Sequence, residues 1–362
     1  MEYYRLGDYI REVNVRNRDL KVTNLLGVNL SKQFFPSIAN IIGTDLSKYK
    51  VIRKGQFGCK FMSVGRDGIL PISIMKDDEP AIISSAYYVF EVRDENVLLP
   101  DYLMMWLRRP EFDRQLAFYA GADVRGGVNY DDFCEMPIFI PTIARQREIV
   151  AEYETLANRI RLNEQMIEKL EATAQALYRK MFVDGVDREN LPEGWRRGKL
   201  EEVAKIVTGK LNSEDAVENG KYPFFTCSQE TYRTDTYAFE QEAVLLAGNN
   251  ASAIYPLKLY RGKFNAYQRT YVISSKCHAV CNKHIFFAIK GKLDDFKGTS
   301  QGTTTKFLTI KILNEIPIII PDSSSHLEFS SKEEILYDHF SLLKQENEVL
   351  TELQSLLLAR TR

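Results

Sequence analysis

Two short blocks, 180 residues apart, constrain this chain more than anything else in it. Met136-Pro-Ile-Phe-Ile-Pro141 and Ile316-Pro-Ile-Ile-Ile-Pro321 each hold apolar residues between two prolines. Proline cannot donate to a sheet ladder, so each block reads as a short strand closed by breakers. The likeness extends upstream. Val128-Asn-Tyr-Asp-Asp-Phe133 stands where Leu308-Thr-Ile-Lys-Ile-Leu313 stands, and Gly/Thr-rich stretches (121–127 and 298–305) precede both. The openings Leu6-Gly-Asp-Tyr-Ile10 and Leu200-Glu-Glu-Val-Ala204 correspond weakly. A chain built this way is one unit used twice.

A helix follows each block. After Pro141, seam residues fall at Ile149, Tyr153, Leu156, Ile160, Asn163, Ile167, Leu170, Ala174, Leu177 and Met181, in alternating steps of four and three. That 3.5-residue period is a coiled-coil seam. Residues 142–182 lack Pro and Gly and predict a rod roughly 60 Å long. After Pro321 the Ser-rich stretch Asp322–His326 reads as a joint, and Ser331 as the cap of a second helix of roughly 48 Å. Its seam is Leu336, Phe340, Leu343, Asn347, Leu350, Gln354 and Leu357. Each seam holds one asparagine, Asn163 or Asn347, either a buried register-fixing group or a solvated helix edge. The simplest arrangement pairs the two seams antiparallel, with the globular domains at opposite ends.

The expected class is α+β: two tandem mixed α/β domains separated by two long antiparallel coiled-coil helices. The boundaries are residues 1–141 for the first domain, 142–184 for the first helix and 185–194 for a Gly/Pro linker. The second domain takes 195–322 and the second helix 331–362. Within the domains, Ala81–Val92, Ala243–Ala247, Tyr271–Ser274 and Ile285–Ile289 read as strands, and Pro100–Arg109 as a helix with proline at its start.

Net charge excludes little. The 48 basic and 49 acidic residues leave −1, but they are unevenly spread. Residues 195–321 carry 18 basic and 12 acidic groups, whereas residues 1–141 carry 18 and 19. From Ala243 to Leu293 there is no Asp or Glu, while Lys258, Arg261, Lys263 and Arg269 alternate with tyrosines and with Asn249 and Gln268. Such residues suit phosphates and base edges; the other reading is a basic sheet face over a Tyr-rich core. The candidate DNA-facing residues are Lys60, Arg66 and Arg125 in the first domain. In the second they are Asn249, Lys258, Arg261, Lys263, Gln268, Arg269, Thr304 and Lys306.

No phosphate loop, dinucleotide fingerprint, nucleophile elbow or H-E-x-x-H is present, which weights the chain away from catalysis. Five scattered cysteines and no export signal read as reduced thiols in a cytoplasmic protein. No stretch is apolar enough to span a membrane. Cys277, His278, Cys281 and His284 are either zinc ligands at an unusual spacing or part of a strand in which Cys277, Ala279 and Cys281 share a face.

The tandem pattern resembles the specificity subunits of type I restriction–modification systems. The residues that carry it are the duplicated Pro-Ile-x-Ile-Pro blocks with their helices and Leu191-Pro-Glu-Gly-Trp195 opening the second half. Tyr49–Phe57 with Val64–Gly68, and Gly262–Tyr271, also look like that family's target-recognition domains. The resemblance implies a non-catalytic subunit whose two domains each read half of a split, asymmetric site in double-stranded DNA. It implies helices that set the half-site spacing and dock two methyltransferase subunits, with restriction subunits joining them. S-adenosylmethionine, ATP and Mg²⁺ would belong to those partners, leaving this chain without a cofactor or metal. The second helix looks trimmed relative to longer members. The competing expectation is a coiled-coil scaffold that binds DNA or protein without a restriction–modification role.

Overall fold

The computed structural model describes residues 2–37, 43–120, 128–187, 189–250, 254–296 and 306–360. The chain divides into two units, Met1–Asn163 with Gln345–Arg362, and Glu164–Lys344.

In the first unit the proline block lies on the chain's opening strand. Pro137–Phe139 pairs antiparallel with Tyr3–Arg5, Tyr3 opposite Phe139. The Leu6 N–H then donates to the Met136 carbonyl at 2.9 Å, and Arg5 pairs with Glu135 at 2.5 Å. Asn129 caps the short helix Tyr130–Cys134 just before the block. A four-stranded sheet follows, in the order Ile10–Glu12, Tyr88–Val92, Phe57–Cys59, Ile72–Ile74. Its inner face stacks Phe57 on Phe90 at 4.9 Å, with Phe133 against Phe90. Helix Pro100–Leu107 starts at its proline, whose missing N–H costs nothing there, and buries Tyr102 through Leu107.

The second unit repeats the frame. Pro317–Ile320 pairs antiparallel with Arg196–Lys199. The Leu200 N–H donates to the Ile316 carbonyl at 2.9 Å, Lys199 pairs with Glu315 at 2.7 Å, and Thr309 caps Ile310–Asn314. The sheet is larger: six strands in the order Ala204–Thr208, Thr270–Ser275, Phe239–Ala247, Leu257–Ala266, Tyr222–Phe225, Thr231–Thr234. Helix Asn282–Lys290 packs with it. The duplication extends down to single hydrogen bonds and ion pairs.

The long helices are Ile143–Phe182, 40 residues, and Ser323–Arg360, 38 residues. Within the first unit Asn163 meets Asn347, and Leu358 joins the cluster containing Ile149. Within the second, Tyr178 and Phe182 meet Phe329, and Leu336 packs with the cluster of Ala174. Residue numbers rise along one helix as they fall along the other, so the pairing in each unit is antiparallel. Ile149, Leu156, Ile160, Asn163, Ile167, Leu170 and Leu177 lie on the sheltered side, as do Leu336, Phe340, Leu343, Asn347, Leu350 and Leu357. Asn163, only 3% exposed, donates from Nδ2 to Asn347 Oδ1 at 2.8 Å and to Glu346 at 2.9 Å. It is a buried polar layer, not a solvated edge. Towards the end of this helix the buried positions become Ala174, Tyr178 and Phe182. A straight helix drifts off a strict heptad, and here it turns its side towards a globular core.

Four expectations are corrected. The second helix begins at Ser323, not Ser331, because Asp322 accepts from the Ser324 and Ser325 N–H groups and so starts it directly after Pro321. Ile285–Ile289 is helical, since a five-residue apolar run cannot by itself tell a buried helix from a strand. Ala81–Val92 is two strands, Ala81–Ile83 and Tyr88–Val92, broken by a turn at Ser84–Tyr87. Cys277–Cys281 is a turn rather than a strand, held by Ser275 Oγ, which donates to the Cys277 and Val280 carbonyls.

Candidate nucleic-acid interface

In the second unit, several loops are stitched into one polar cluster. The Gly209 N–H donates to the Thr270 carbonyl, Gln268 N–H to the Leu211 carbonyl and Tyr267 N–H to the Phe225 carbonyl. The Gly248 N–H donates to the Arg269 carbonyl at 2.8 Å, and Leu308 N–H to the Gly248 carbonyl at 2.8 Å. Two glycines make the approach possible. A Cβ on Gly209 would sit 1.9 Å from the Ala266 carbonyl oxygen, and one on Gly248 2.4 Å from that of Arg269. The loops are therefore fixed by backbone, leaving their side chains free to face outward.

Those side chains are Lys210, Asn212, Gln268 and Arg269, all exposed. Gln268 Nε2 donates to Asn212 Oδ1 at 3.0 Å, which steadies one amide against the other. The Arg269 guanidinium has no partner among the described residues. Asn249 is half-buried on a two-residue ladder, opposite Phe307, and the ladder also pairs Asn250 with Lys306. Arg125 and Thr304 lie outside the described residues, as do the Gly/Thr-rich stretches 121–127 and 298–305. Lys210 and Asn212 are not among the residues that sequence alone singles out. Gly209 was the available signal, a lone glycine at a strand end.

The acid-free stretch Ala243–Leu293 is not a bare basic face, because carboxylates reach it from elsewhere in the unit. Arg261 pairs with Glu242 at 2.7 Å and with Glu334 at 2.8 Å, and its guanidinium lies 5.0 Å from the Tyr337 ring. Its hydrogen bonds to Glu334, and then those to Glu242, hold its pKa above the ordinary arginine value. Lys283, buried on helix Asn282–Lys290, pairs with Glu334 and lies 3.4 Å from Glu333. Burial works against the Lys283 ammonium, and these carboxylates with Glu242 outweigh it, so its pKa is raised. Burial pushes Glu333 up to about 7, whereas Arg261 and Lys283 hold Glu334 down to about 2. Lys258 donates to the Glu230 carbonyl and Thr231 Oγ1, and Lys263 lies 3.7 Å from Glu240. Arg261 is thus a clamp between sheet and long helix, and Lys258 and Lys263 brace neighbouring strands.

In the first unit, Arg66 forms a two-point pair with its neighbour Asp67, and half-buried Lys60 lies 6.0 Å from the Tyr87 ring. The described residues bring neither into a cluster like that of the second unit. His284 is buried among Tyr178, Phe182 and Phe329. Among the described residues, no group of three His, Cys, Asp or Glu side chains could hold a metal ion, so the zinc arrangement of Cys277, Cys281 and His284 has no geometry here.

Residues 192–352 match the family model of the type I restriction modification DNA specificity domain. The match lies in the second half of the chain. Among curated proteins, the type I restriction enzyme EcoDI specificity subunit of Escherichia coli is 34% identical over 142 residues, 39% of this chain and 31% of that protein. The HindI specificity subunit of Haemophilus influenzae is 27% identical over 190 residues, 50% of this chain and 40% of that one. The chain thus spans less than half the length of these relatives in the matched regions. The crystal structure of a type I restriction–modification S subunit from M. genitalium superposes over 99% of this chain and 95% of its own, with a TM-score of 0.61 and 14% identity. That likeness supports the fold, two mixed α/β domains with long helices. The resemblance to type I specificity subunits, first drawn from the duplicated proline blocks, is borne out. Among the described residues no helix is long and apolar enough to cross a membrane.

Proposed function

We propose that this chain is the DNA-reading specificity subunit of a type I restriction–modification complex. Each unit reads one half of a split, asymmetric duplex site, and the methyl-transfer and cleavage chemistry resides in partner subunits. The observation that carries this is the duplication itself, down to paired bonds such as Leu6 to Met136 and Leu200 to Ile316, in a chain whose second half carries a DNA specificity domain. A twice-used frame bearing two different recognition sheets suits a bipartite, asymmetric target. In the second unit the DNA-facing surface is the loop cluster of Lys210, Asn212, Asn249, Gln268 and Arg269. Cations there serve phosphates, and the braced Gln268–Asn212 amides serve base edges. Lys60, Arg66 and Arg125 are the candidates of the first unit.

The long helices dock two methyltransferase subunits, which bring S-adenosylmethionine, and restriction subunits join with ATP and Mg²⁺. Support comes from apolar side chains left outside the seam. The second long helix exposes Val349, Leu353 and Leu356 in the first unit, and Ile335 and Leu342 in the second. These positions flank the seam, where a further helix would pack. The complex would act in the cytoplasm, where its DNA is.

Methylome sequencing of a host carrying this chain with its methyltransferase tests the proposal. A split motif with a fixed spacer is expected, and deleting one heptad within 149–181 should change the spacer while both half-site sequences persist. Absence of any methylated motif from an assembled complex would favour a scaffold role instead.

A further inference from the structure

The two halves lock the start of the long helix that follows each proline block in the same places with different chemistry. In the first unit Tyr102, third residue of its helix, donates from its hydroxyl to the Phe139 carbonyl at 2.9 Å. Phe139 lies two residues before Pro141. Gln146, five residues after Pro141, is fully buried and satisfied. Its Oε1 accepts from the Leu99 N–H, and its Nε2 donates to the Val97 and Pro141 carbonyls, each at 2.8 Å. In the second unit the third residue of the matching helix is His284, set against the backbone of Ile319, two residues before Pro321. Five residues after Pro321 stands His326. The backbone confirms the match: Gln146 N–H donates to the Thr142 carbonyl, and His326 N–H to that of Asp322.

The polar satisfaction differs sharply. Neither ring nitrogen of His284, nor Nδ1 of His326, makes a hydrogen bond of good geometry, although the Ile319 backbone lies close enough to favour the charged form of His284. Tyr178 and Phe182 of the first long helix and Phe329 of the second wall in the His284 ring, Phe182 at 4.4 Å. The charged groups nearby are all occupied. Lys283 is held by Glu242, Glu333 and Glu334; Asp322 accepts from Trp195 Nε1, Ser324 and Ser325. Cys281, the helix cap, is raised in pKa by burial and stays a neutral thiol. Among the described residues no carboxylate pairs with either imidazole. His326 also sits in the first turn of a helix, where the dipole opposes positive charge.

We infer that His284 and His326 form an acid-sensitive latch, holding helix Asn282–Lys290 and strand Pro317–Ile320 to the start of the second long helix, where the first unit uses Tyr102 and Gln146, neither of which takes up a proton in acid. A cation on His284 would be buried beside the His326 ring and among aromatic walls with no counter-charge, and one on half-buried His326 would face the His284 ring. Burial and His326 push His284 down to about 3, and burial lowers His326. The folded values lie below the unfolded one. The latch therefore holds fully above about pH 6.5 and weakens as pH falls below it. The first unit lacks this dependence at its own latch. The inference rests on the duplicated frame and does not depend on DNA binding.

The chain has two tryptophans, one in each half. Trp195 lies 5.6 Å from Phe182, which touches His284; Trp106 lies in the first unit's core. In the full chain, Trp106→Phe leaves Trp195 as reporter, and Trp195→Phe leaves Trp106. Titrating each from pH 8 to 4, the Trp195 signal should change at least one pH unit above the Trp106 signal. Adding His284→Tyr and His326→Gln, the first unit's own residues, should remove that gap. Coincident transitions, or a gap that survives the exchange, overturn the latch. If the exchanged chain does not fold by circular dichroism, histidine ring-proton NMR of the unaltered chain decides. His284 should stay neutral until the second unit unfolds. Protonation of His284 in the folded chain overturns it.

Discussion

The two units share a frame and differ in what they hang on it. The first unit builds a four-stranded sheet and small ladders around a core of stacked aromatics, and its helix start is closed by satisfied neutral groups. The second builds a six-stranded sheet and ties it to the long helix by buried charge, Lys283 and Arg261 against Glu242, Glu333 and Glu334. The frame is alike in the two units whereas the sheets differ, as the proposed reading of two different half-sites would require. The difference also separates two ways of fixing a domain: neutral hydrogen bonds, insensitive to pH, and ion pairs, which depend on every partner being present.

The sharpest way to break this comparison is to remove the central cation. Lys283→Met strands Glu333, leaves Glu334 with Arg261 as its one remaining cation among the described residues, and should cost the second unit about 3–5 kcal/mol. Urea unfolding followed at Trp195 would show the shift, with Trp106 little affected; equal shifts at both would mean the units are not separately fixed. Gln146→Ala strands the Leu99 N–H and two carbonyls in the first unit and should cost about 2–3 kcal/mol, read at Trp106. The seam comes next. Asn163→Leu leaves Asn347 unpaired and should cost about 1 kcal/mol in thermal unfolding, with the double change to Leu restoring stability. Smallest is Lys263→Ala. Its pair with Glu240 is exposed at both ends, so stability should change by less than about 0.5 kcal/mol in the same urea assay.

What could be read from sequence follows the same division. The repeated frame was legible because prolines and heptads act locally: a breaker stops a strand wherever it stands, and a 3.5-residue period needs a partner helix. The seam residues from Ile149 to Leu177 and from Leu336 to Leu357 followed from spacing alone. The second helix's start was misplaced because Ser323–Ser325 resembles a joint until Asp322 is seen accepting two of its N–H groups. Arg261 read as DNA-facing because the sequence around it lacks acids. Its counter-charges come from Glu242, 19 residues away, and Glu334, 73 away, and such pairing is set by the fold. Lys210 and Asn212 were missed for the same reason, as only the close crossing at Gly209 brings them to Gln268 and Arg269.

The most direct test of the DNA-reading role is the salt dependence of duplex binding by the full chain, compared with its Lys210→Ala/Arg269→Ala variant. Removing one cation that neutralises a phosphate should lower the slope of log affinity against log salt by roughly 0.9. If the loop cluster grips DNA, the variant's slope should fall by about 2 while the Trp195 unfolding transition is unchanged. An unchanged slope in a chain that still binds duplex DNA would contradict that placement of the interface.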